Sequence, residues 1–359
     1  MSVKIDIFGM FTPEIAAAIH PYGLPKFRAG QIAKWMYQQG VDDFDKMTNL
    51  SKDNKIVLAE HFVIHRVSTQ AVQQSTDGKT SKYLLKFHDG MAVETVLMRQ
   101  PYGNSVCVST QVGCAMGCVF CASTLNGVTR NLTSGEILDQ VLYVNHLLQQ
   151  EQAHVNTIVI MGAGEPLANY DNVVNFMRLC HEEYCLNLSY RSITLSTSGL
   201  VPEIDKLAAE GLPVTLSISL HAPNNEIRSQ LMPVNNRYPL VEVMAAANRY
   251  AQQTGRQVTY EYVLIADVND QAHHAKQLAT LMRGRLANVN LIPVNAVIER
   301  GLLRPSNKQV QLFEQILLER KINVTVRREM GTDILAACGQ LRHKVLTQPA
   351  LIDDSDSES

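Results

Sequence analysis

Cys114, Cys118 and Cys121 follow one another in the run Cys-Ala-Met-Gly-Cys-Val-Phe-Cys, and Cys107 stands across a further gap of six residues. Thiolates suit soft metals, and iron–sulfur clusters are ordinarily held by four of them. A C-x3-C-x2-C loop can wrap a cubane cluster with three thiolates. One iron then stays open, and an open position marks a catalytic metal site, not a structural one. The spacing therefore points to a cluster on Cys114, Cys118 and Cys121 that takes a substrate or cofactor at its fourth iron. The alternative is a structural zinc site with Cys107 as fourth ligand. Structural zinc loops usually pair two short C-x2-4-C units. Here the first gap is six residues and Cys107 falls in a predicted strand, on another element. Cys180, Cys185 and Cys338 complete the set of seven. An odd, clustered set of cysteines, with no leader-like apolar run in MSVKIDIFGMF, argues against a disulfide scaffold and for a reducing compartment. Free cysteine is commonly buried, so taken alone Cys338 in AACGQL reads as packing.

A loop of this kind needs a scaffold that fixes both of its ends. Strand-like runs fall at 106–111, 155–161, 192–197, 214–220, 258–265, 288–293 and 323–327. Helical spacing falls between them, at 134–150, 171–180, 202–210, 239–253, 270–283 and 307–319. Regular β–α alternation predicts an α/β fold with a parallel sheet covered by helices. Six such units, short of the eight of a closed barrel, predict a partial, open (β/α)6 barrel with its site at the carboxyl ends of the strands. Most of the chemistry-bearing motifs fall at or just after those ends. Residues 1–90 read as a small helical accessory domain, with helices at 13–23 and 27–40 and a hairpin around Asp89-Gly90. The barrel spans 91–346, and 347–359 is expected to be a solvated, disordered acidic tail.

Apolar residues make up 46% of the chain and charged residues 18%, enough for a large core and too ordered a composition for global disorder. No run approaches the roughly 18 apolar residues of a membrane helix. A net charge of −2 does not by itself call for a polyanion partner. The charge is uneven, however: residues 283–344 hold eleven Lys and Arg against five Asp and Glu. Such an excess is either a solvated surface or a phosphate-contacting face.

In order along the chain, CVSTQVGCAMGCVFCASTLNGVTRNLTSGEI, MGAGEPLANYDNV, ITLSTSGLVP, SISLHAPNNEIRSQLMPVN, VNLIPVN and GTDILAACGQLR resemble the RlmN/Cfr group of radical S-adenosylmethionine (SAM) RNA adenosine methyltransferases. The resemblance runs from about residue 93 to residue 344 and is closer to the RlmN branch. It implies a [4Fe-4S] cluster on Cys114, Cys118 and Cys121, with SAM chelating the open iron. Gly164 and Glu165 match the motif that binds the SAM amino group, and Ser196, Ser219, Leu220, His221 and Asn295 match its other contacts. Without the resemblance, His221 would read as a satisfied buried histidine and Gly-x-Gly-Glu as a turn.

Cys338 matches a cysteine that one SAM methylates. A radical from a second SAM then activates the S-methyl group for addition to adenine. Cys107 matches the cysteine that releases the product through a transient disulfide, and Glu94 matches a proposed proton acceptor. Cys180 and Cys185 match nothing catalytic. The implied partners are 23S ribosomal RNA, transfer RNA and an electron donor such as a flavodoxin. The implied setting is a cytoplasmic monomer with no membrane. The expected product is C2-methyladenosine, with C8 methylation as the alternative, and a zinc-stabilised RNA-binding module without catalysis as a third reading. Arg300, Arg304, Lys308, Arg320, Lys321, Arg327 and Arg328 are expected to grip the RNA. Two positions depart from the family pattern: Ala163 stands where a bulkier apolar residue is usual, and Leu335 where an acid is usual.

Overall fold

Val, Ile and Leu dominate the strand-like runs, and strands apolar on both faces belong in the middle of a sheet covered by helices. The computed structural model describes residues 4–295, 297–327 and 330–341. Arg328 and the acidic tail 347–359 therefore lie outside the described residues. At the start, strands β1 (Ile5–Asp6) and β2 (Phe62–Val63) pair in parallel and bracket helices α1 (Thr12–Ile19), α2 (Arg28–Tyr37) and α3 (Lys52–His61). An antiparallel meander follows: β3 (Ser68–Gln74), β4 (Thr80–Lys86), β5 (Ala92–Gln100) and β6 (Gly103–Cys107). A two-stranded ribbon, β7 (Gln111–Gly113) and β8 (Val128–Asn131), brackets the cysteine loop.

Strands β9 (Val155–Ile160), β10 (Ile193–Thr197), β11 (Thr215–Ser219), β12 (Val258–Leu264), β13 (Ala287–Pro293) and β14 (Val324–Val326) continue from β6, each parallel to its neighbour. Helices α4 (Ser134–Gln150), α5 (Tyr170–His181), α6 (Val201–Ala209), α7 (Asn225–Leu231), α8 (Leu240–Thr254), α9 (Ala272–Met282) and α10 (Asn307–Glu319) fill the crossovers. The order β14-β13-β12-β11-β10-β9-β6-β5-β4-β3 leaves β14 and β3 as the two ends of one sheet among the described residues. This is the expected partial α/β barrel, open at one side, with an N-terminal helical part. Among the described residues no helix is long and apolar enough to cross a membrane.

Three local differences from the sequence expectation have physical causes. The first expected strand, 106–111, is two strands: β6 ends at Cys107 and β7 starts at Gln111. The chain turns out of the sheet between them so that Ser109 and Thr110 can meet the loop after β9. The β4–β5 hairpin is part of the ten-stranded sheet, so the sheet continues across residue 90. Strand β3 was not anticipated because Ser-Thr-Gln-Ala-Val-Gln-Gln has no apolar alternation. Its side chains are almost all exposed, as an edge strand allows.

Candidate active site

The cysteine loop leaves β7 through Gly113 and is clamped on every side. Cys114 N–H donates to the Gly127 carbonyl at 2.9 Å, Val119 N–H to the Leu231 carbonyl at 3.0 Å, and Cys121 N–H to the Cys118 carbonyl at 3.2 Å. Thr124 Oγ1 donates to the carbonyls of Cys118 and Cys121, both at 3.0 Å, and Arg300 donates to Thr124 Oγ1 at 2.8 Å. The three thiols line one cavity at the carboxyl ends of the strands. Burial pushes the Cys114 thiol up to about 12 and raises Cys118 and Cys121 as well; the neighbouring thiols add to the rise at Cys118. Such thiols keep their protons until a metal displaces them. Among the described residues no three His, Cys, Asp or Glu side chains converge as ligands of one ion. Thiols that share a cluster each bind a different iron and need no such convergence. A soft donor set of three thiols at the end of a cavity fits an iron–sulfur cluster. Cys107 does not line the cavity that the three thiols share, which speaks against the zinc arrangement with Cys107 as fourth ligand.

The wall beside the loop is the turn after β9. A Cβ on Gly162 would stand 2.6 Å from Ser109 Oγ, and one on Gly164 would stand 2.7 Å from Thr110 Oγ1. Gly164 also has φ +110°, so only glycine fits there. Between them, Ala163 N–H donates to Ser109 Oγ at 3.0 Å and its carbonyl accepts from Thr110 N–H at 2.8 Å. The Ala163 side chain is buried and is not part of the cavity lining, so its small size affects packing behind the wall. Glu165 N–H donates to Gln111 Oε1 at 2.8 Å, and its carboxylate accepts from Ser198 N–H at 2.7 Å and Leu167 N–H at 3.0 Å. Burial raises the Glu165 pKa and these N–H bonds oppose the rise.

The barrel interior supplies the remaining contacts. Ser196 Oγ and Ser219 Oγ face each other at 3.5 Å. His221 holds a left-handed backbone, φ +56°. Its Nδ1 accepts from Val263 N–H at 3.0 Å, so the ring proton belongs on Nε2, and burial lowers its pKa to about 3. Phe120 meets its ring edge-on at 4.6 Å. Asn295 Nδ2 donates to the Cys338 carbonyl at 3.0 Å, and its Oδ1 is buried without a partner among the described residues. An orphaned acceptor in the cavity suits a ligand that brings its own donor, such as the SAM amino group. Leu220 is different: it is fully buried in the main core and does not line the cavity.

Cys338 lies on the segment after β14 and is exposed into the same cavity. That segment is docked by Ala122 N–H on the Gly339 carbonyl at 2.8 Å, Ser123 Oγ on the Leu341 carbonyl at 2.8 Å, and Lys82 Nζ on the Leu335 carbonyl at 3.3 Å. Leu335 itself is exposed, with φ +52°, so its backbone and not its side chain makes the tie. Cys107, the last residue of β6, is buried against Val96, Ala336 and Leu341. Burial, with the Cys338 charge adding to it, pushes its thiol up to about 12. Glu94 points to the same side of β5 as Val96 and forms an ion pair with Lys82 at 2.9 Å; it is not part of the cavity lining. All seven cysteines are free, with Cys180 and Cys185 in the main core.

Further residues differ from the sequence expectation. Arg327 was expected on the RNA-facing surface, but it turns into the cavity toward Cys338, Glu261 and Cys107. Burial disfavours its charge, and those three groups more than offset that. Glu261 was missed: it is buried on β12, lines the cavity and accepts from Asn290 Nδ2 at 2.8 Å. A lone glutamate inside Val-Thr-Tyr-Glu-Tyr-Val-Leu was the available signal. Of the other basic residues, Arg304, Lys308, Arg320 and Lys321 are exposed on and around α10, while Arg300 is tied to the cysteine loop.

Residues 108–279 match the Radical SAM superfamily, and residues 5–64 match the Ribosomal RNA large subunit methyltransferase N-terminal domain. A Symbiobacterium thermophilum protein named "Probable dual-specificity RNA methyltransferase RlmN" is 52% identical over 94% of this chain and 91% of its own length. A Desulforamulus reducens protein of the same name is 49% identical over 95% of this chain and 97% of its own. The crystal structure of a radical SAM methyltransferase from Sphaerobacter thermophilus superposes with a TM-score of 0.91 at 46% identity, over 95% of this chain and 100% of that one.

Proposed function

From the premise that this chain belongs to the RlmN family of radical SAM RNA methyltransferases, we propose that it methylates C2 of a specific adenosine in 23S ribosomal RNA and in transfer RNA, with Cys338 as the methyl carrier. The observation that carries the reading is the meeting of Cys338 with the three-thiol loop in one cavity, with Cys107 against the Cys338 segment. The [4Fe-4S] cluster and SAM supply, when bound, the electron, the methyl group and the radical that an unactivated adenine carbon requires. Cys114, Cys118 and Cys121 hold the cluster. Glu165, Ser196, Ser219 and Asn295 offer acceptors and hydroxyls that orient SAM, with Gly164 and His221 shaping its seat and Leu220 supporting that seat from the core.

Cys338 reaches the cavity with the Arg327 guanidinium lining the same space. Once its sulfur is bound through a methylene to adenine C2, Cys107 resolves the adduct. The Cys107 thiol, protonated at rest, gives up its proton as its sulfur attacks the Cys338 sulfur; an S–S bond forms as the C–S bond breaks, and the electron pair stays on the methylene carbon, which takes a proton to become methyl. Glu94 is assigned the C2 proton, with Lys82 holding its carboxylate. A reductant of the flavodoxin or dithiol class then restores both thiols.

The N-terminal part (1–90), the barrel (91–346) and the tail (347–359) are proposed as the functional divisions. The N-terminal part and the exposed Arg304, Lys308, Arg320 and Lys321 grip RNA phosphates, and an unpaired adenosine enters the barrel. The words "dual-specificity RNA methyltransferase" in the relatives' names support more than one RNA substrate. A cytoplasmic monomer is the setting that suits so bulky a substrate.

The test is nucleoside mass spectrometry of ribosomal RNA from a methylation-null host, treated with anaerobically reconstituted protein, SAM and reductant. We expect a C2-methyladenosine peak that is lost in Cys338→Ala. A C8-methyladenosine peak would overturn the regiochemistry, and no methylated adenosine from a cluster-loaded protein would overturn the reading.

A further inference from the structure

Arg228, on α7, is fully buried. Its guanidinium donates only to neutral oxygens: Nε to the Leu220 carbonyl at 3.3 Å, Nη1 to Asn235 Oδ1 at 3.0 Å and the Tyr238 carbonyl at 3.5 Å, and Nη2 to the Ser198 carbonyl at 2.7 Å and the Ser219 carbonyl at 3.2 Å. These acceptors satisfy its protons but do not cancel its charge. Among the described residues no carboxylate pairs with it. Glu165 takes the Ser198 N–H, on the peptide unit before the one whose carbonyl the guanidinium holds, and forms no ion pair with the guanidinium. Burying a cation without a counter-charge is among the most costly arrangements in a protein interior. Burial lowers its pKa only to about 10, so it stays charged at neutral pH.

Its surroundings show what the charge serves. The last residue of α7, Leu231, accepts the Val119 N–H through its carbonyl at 3.0 Å, and Leu231 and Met232 pack on Cys118. Helix α7 is thus the backing of the cysteine loop. Cys118 keeps its proton until a metal displaces it, and the charge its sulfur then carries acts favourably on the guanidinium.

We propose that Arg228 is the fixed counter-ion of the cluster-bearing thiolates and a positioning residue for electron entry: its buried charge behind Cys118 raises the reduction potential of the cluster. This rests on the reading of Cys114, Cys118 and Cys121 as cluster ligands. Adding an electron to an anionic centre is easier beside a buried cation, because the low local dielectric leaves that cation unscreened.

Two substitutions remove the charge by different routes. Arg228→Gln deletes it. Asn235→Asp keeps the guanidinium and its hydrogen bonds but places a carboxylate on Nη1. Arg228→Lys keeps the charge. Each protein is reconstituted anaerobically, its iron and sulfide are assayed, and its cluster is titrated by electron paramagnetic resonance at set potentials. At a fixed poise, the reduced-to-oxidised ratio should fall about tenfold in both charge-neutral variants, a midpoint about 59 mV lower for one electron. Arg228→Lys should stay at the wild-type midpoint.

An unchanged ratio in either neutral variant carrying a full cluster overturns the assignment. If the wild-type protein itself takes up no iron and sulfide, the cluster reading has failed instead. If Arg228→Gln does not fold by circular dichroism, Asn235→Asp decides. If neither neutral variant folds, Arg228 is a structural staple and the assignment is overturned.

Discussion

His221 is held neutral first by its burial, with the nearby Arg228 charge adding to the effect. Its Nδ1 is occupied by Val263 N–H, and its pKa stands at about 3 against an ordinary value near 6.5. Between those two values the unfolded chain binds a proton that the folded chain does not. Stability is therefore full above pH 6.5 and is lost as pH falls toward 3, by about 2 kcal/mol at pH 5. Asparagine tolerates the left-handed backbone and does not titrate. His221→Asn should therefore flatten the fall in urea midpoint between pH 7 and pH 5; a midpoint that falls as steeply as in wild type would place the acid sensitivity elsewhere. At this scale the sequence was most legible in the cysteine loop, where the residue type is rare and the spacing tight, whereas Gly-Ala-Gly-Glu was read only through the family resemblance. Arg327 was misread because a basic residue in a basic stretch looks like surface. Alternation places it on the same face of the chain as Thr325, and that face turns toward Cys338.

Helix α4 is the element that most nearly obeys local rules. Thr133 Oγ1 accepts from Glu136 N–H at 3.1 Å while Thr133 N–H donates to Glu136 Oε2 at 2.9 Å, a reciprocal cap. Glu136 is held in turn by Arg130, which also reaches Asp89 at the tip of the β4–β5 hairpin. Thr133→Ala should cost about 1 kcal/mol in chemical denaturation; a loss below a few tenths would mean that the Arg130 network holds the helix start unaided. Such caps and apolar periodicity made α4 and α10 readable to the residue. Helix α3 buries only Leu58, so its pattern carried no apolar stripe to detect. Strand β3 is defined by its pairing with β4, a contact that local sequence does not encode.

The N-terminal part is fastened to the barrel by Arg66 and Asp139, which meet at 2.7 Å with both side chains largely buried; the Asp139 carboxylate also takes the Val67 N–H. Gly9 and Gly135 allow the two backbones to touch, since a Cβ on Gly9 would stand 2.6 Å from Gly135 Cα. Asp139→Ala leaves a buried guanidinium unpaired and should destabilise the protein by about 3–5 kcal/mol. Limited proteolysis should then cut first between residues 64 and 68, whereas an unchanged cleavage pattern would show that apolar contacts alone fasten the two parts. Among the described residues the segment that carries Cys338 follows every strand of the sheet in sequence, and it docks on β4 and on the cysteine loop. During synthesis the loop of Cys114, Cys118 and Cys121 therefore leaves the ribosome well before Cys338 does. Under the function proposed above, a nascent chain would hold its three-thiol loop while still lacking the thiol assigned as methyl carrier, so order of emergence alone would keep an unfinished molecule from bonding covalently to the ribosome that is making it.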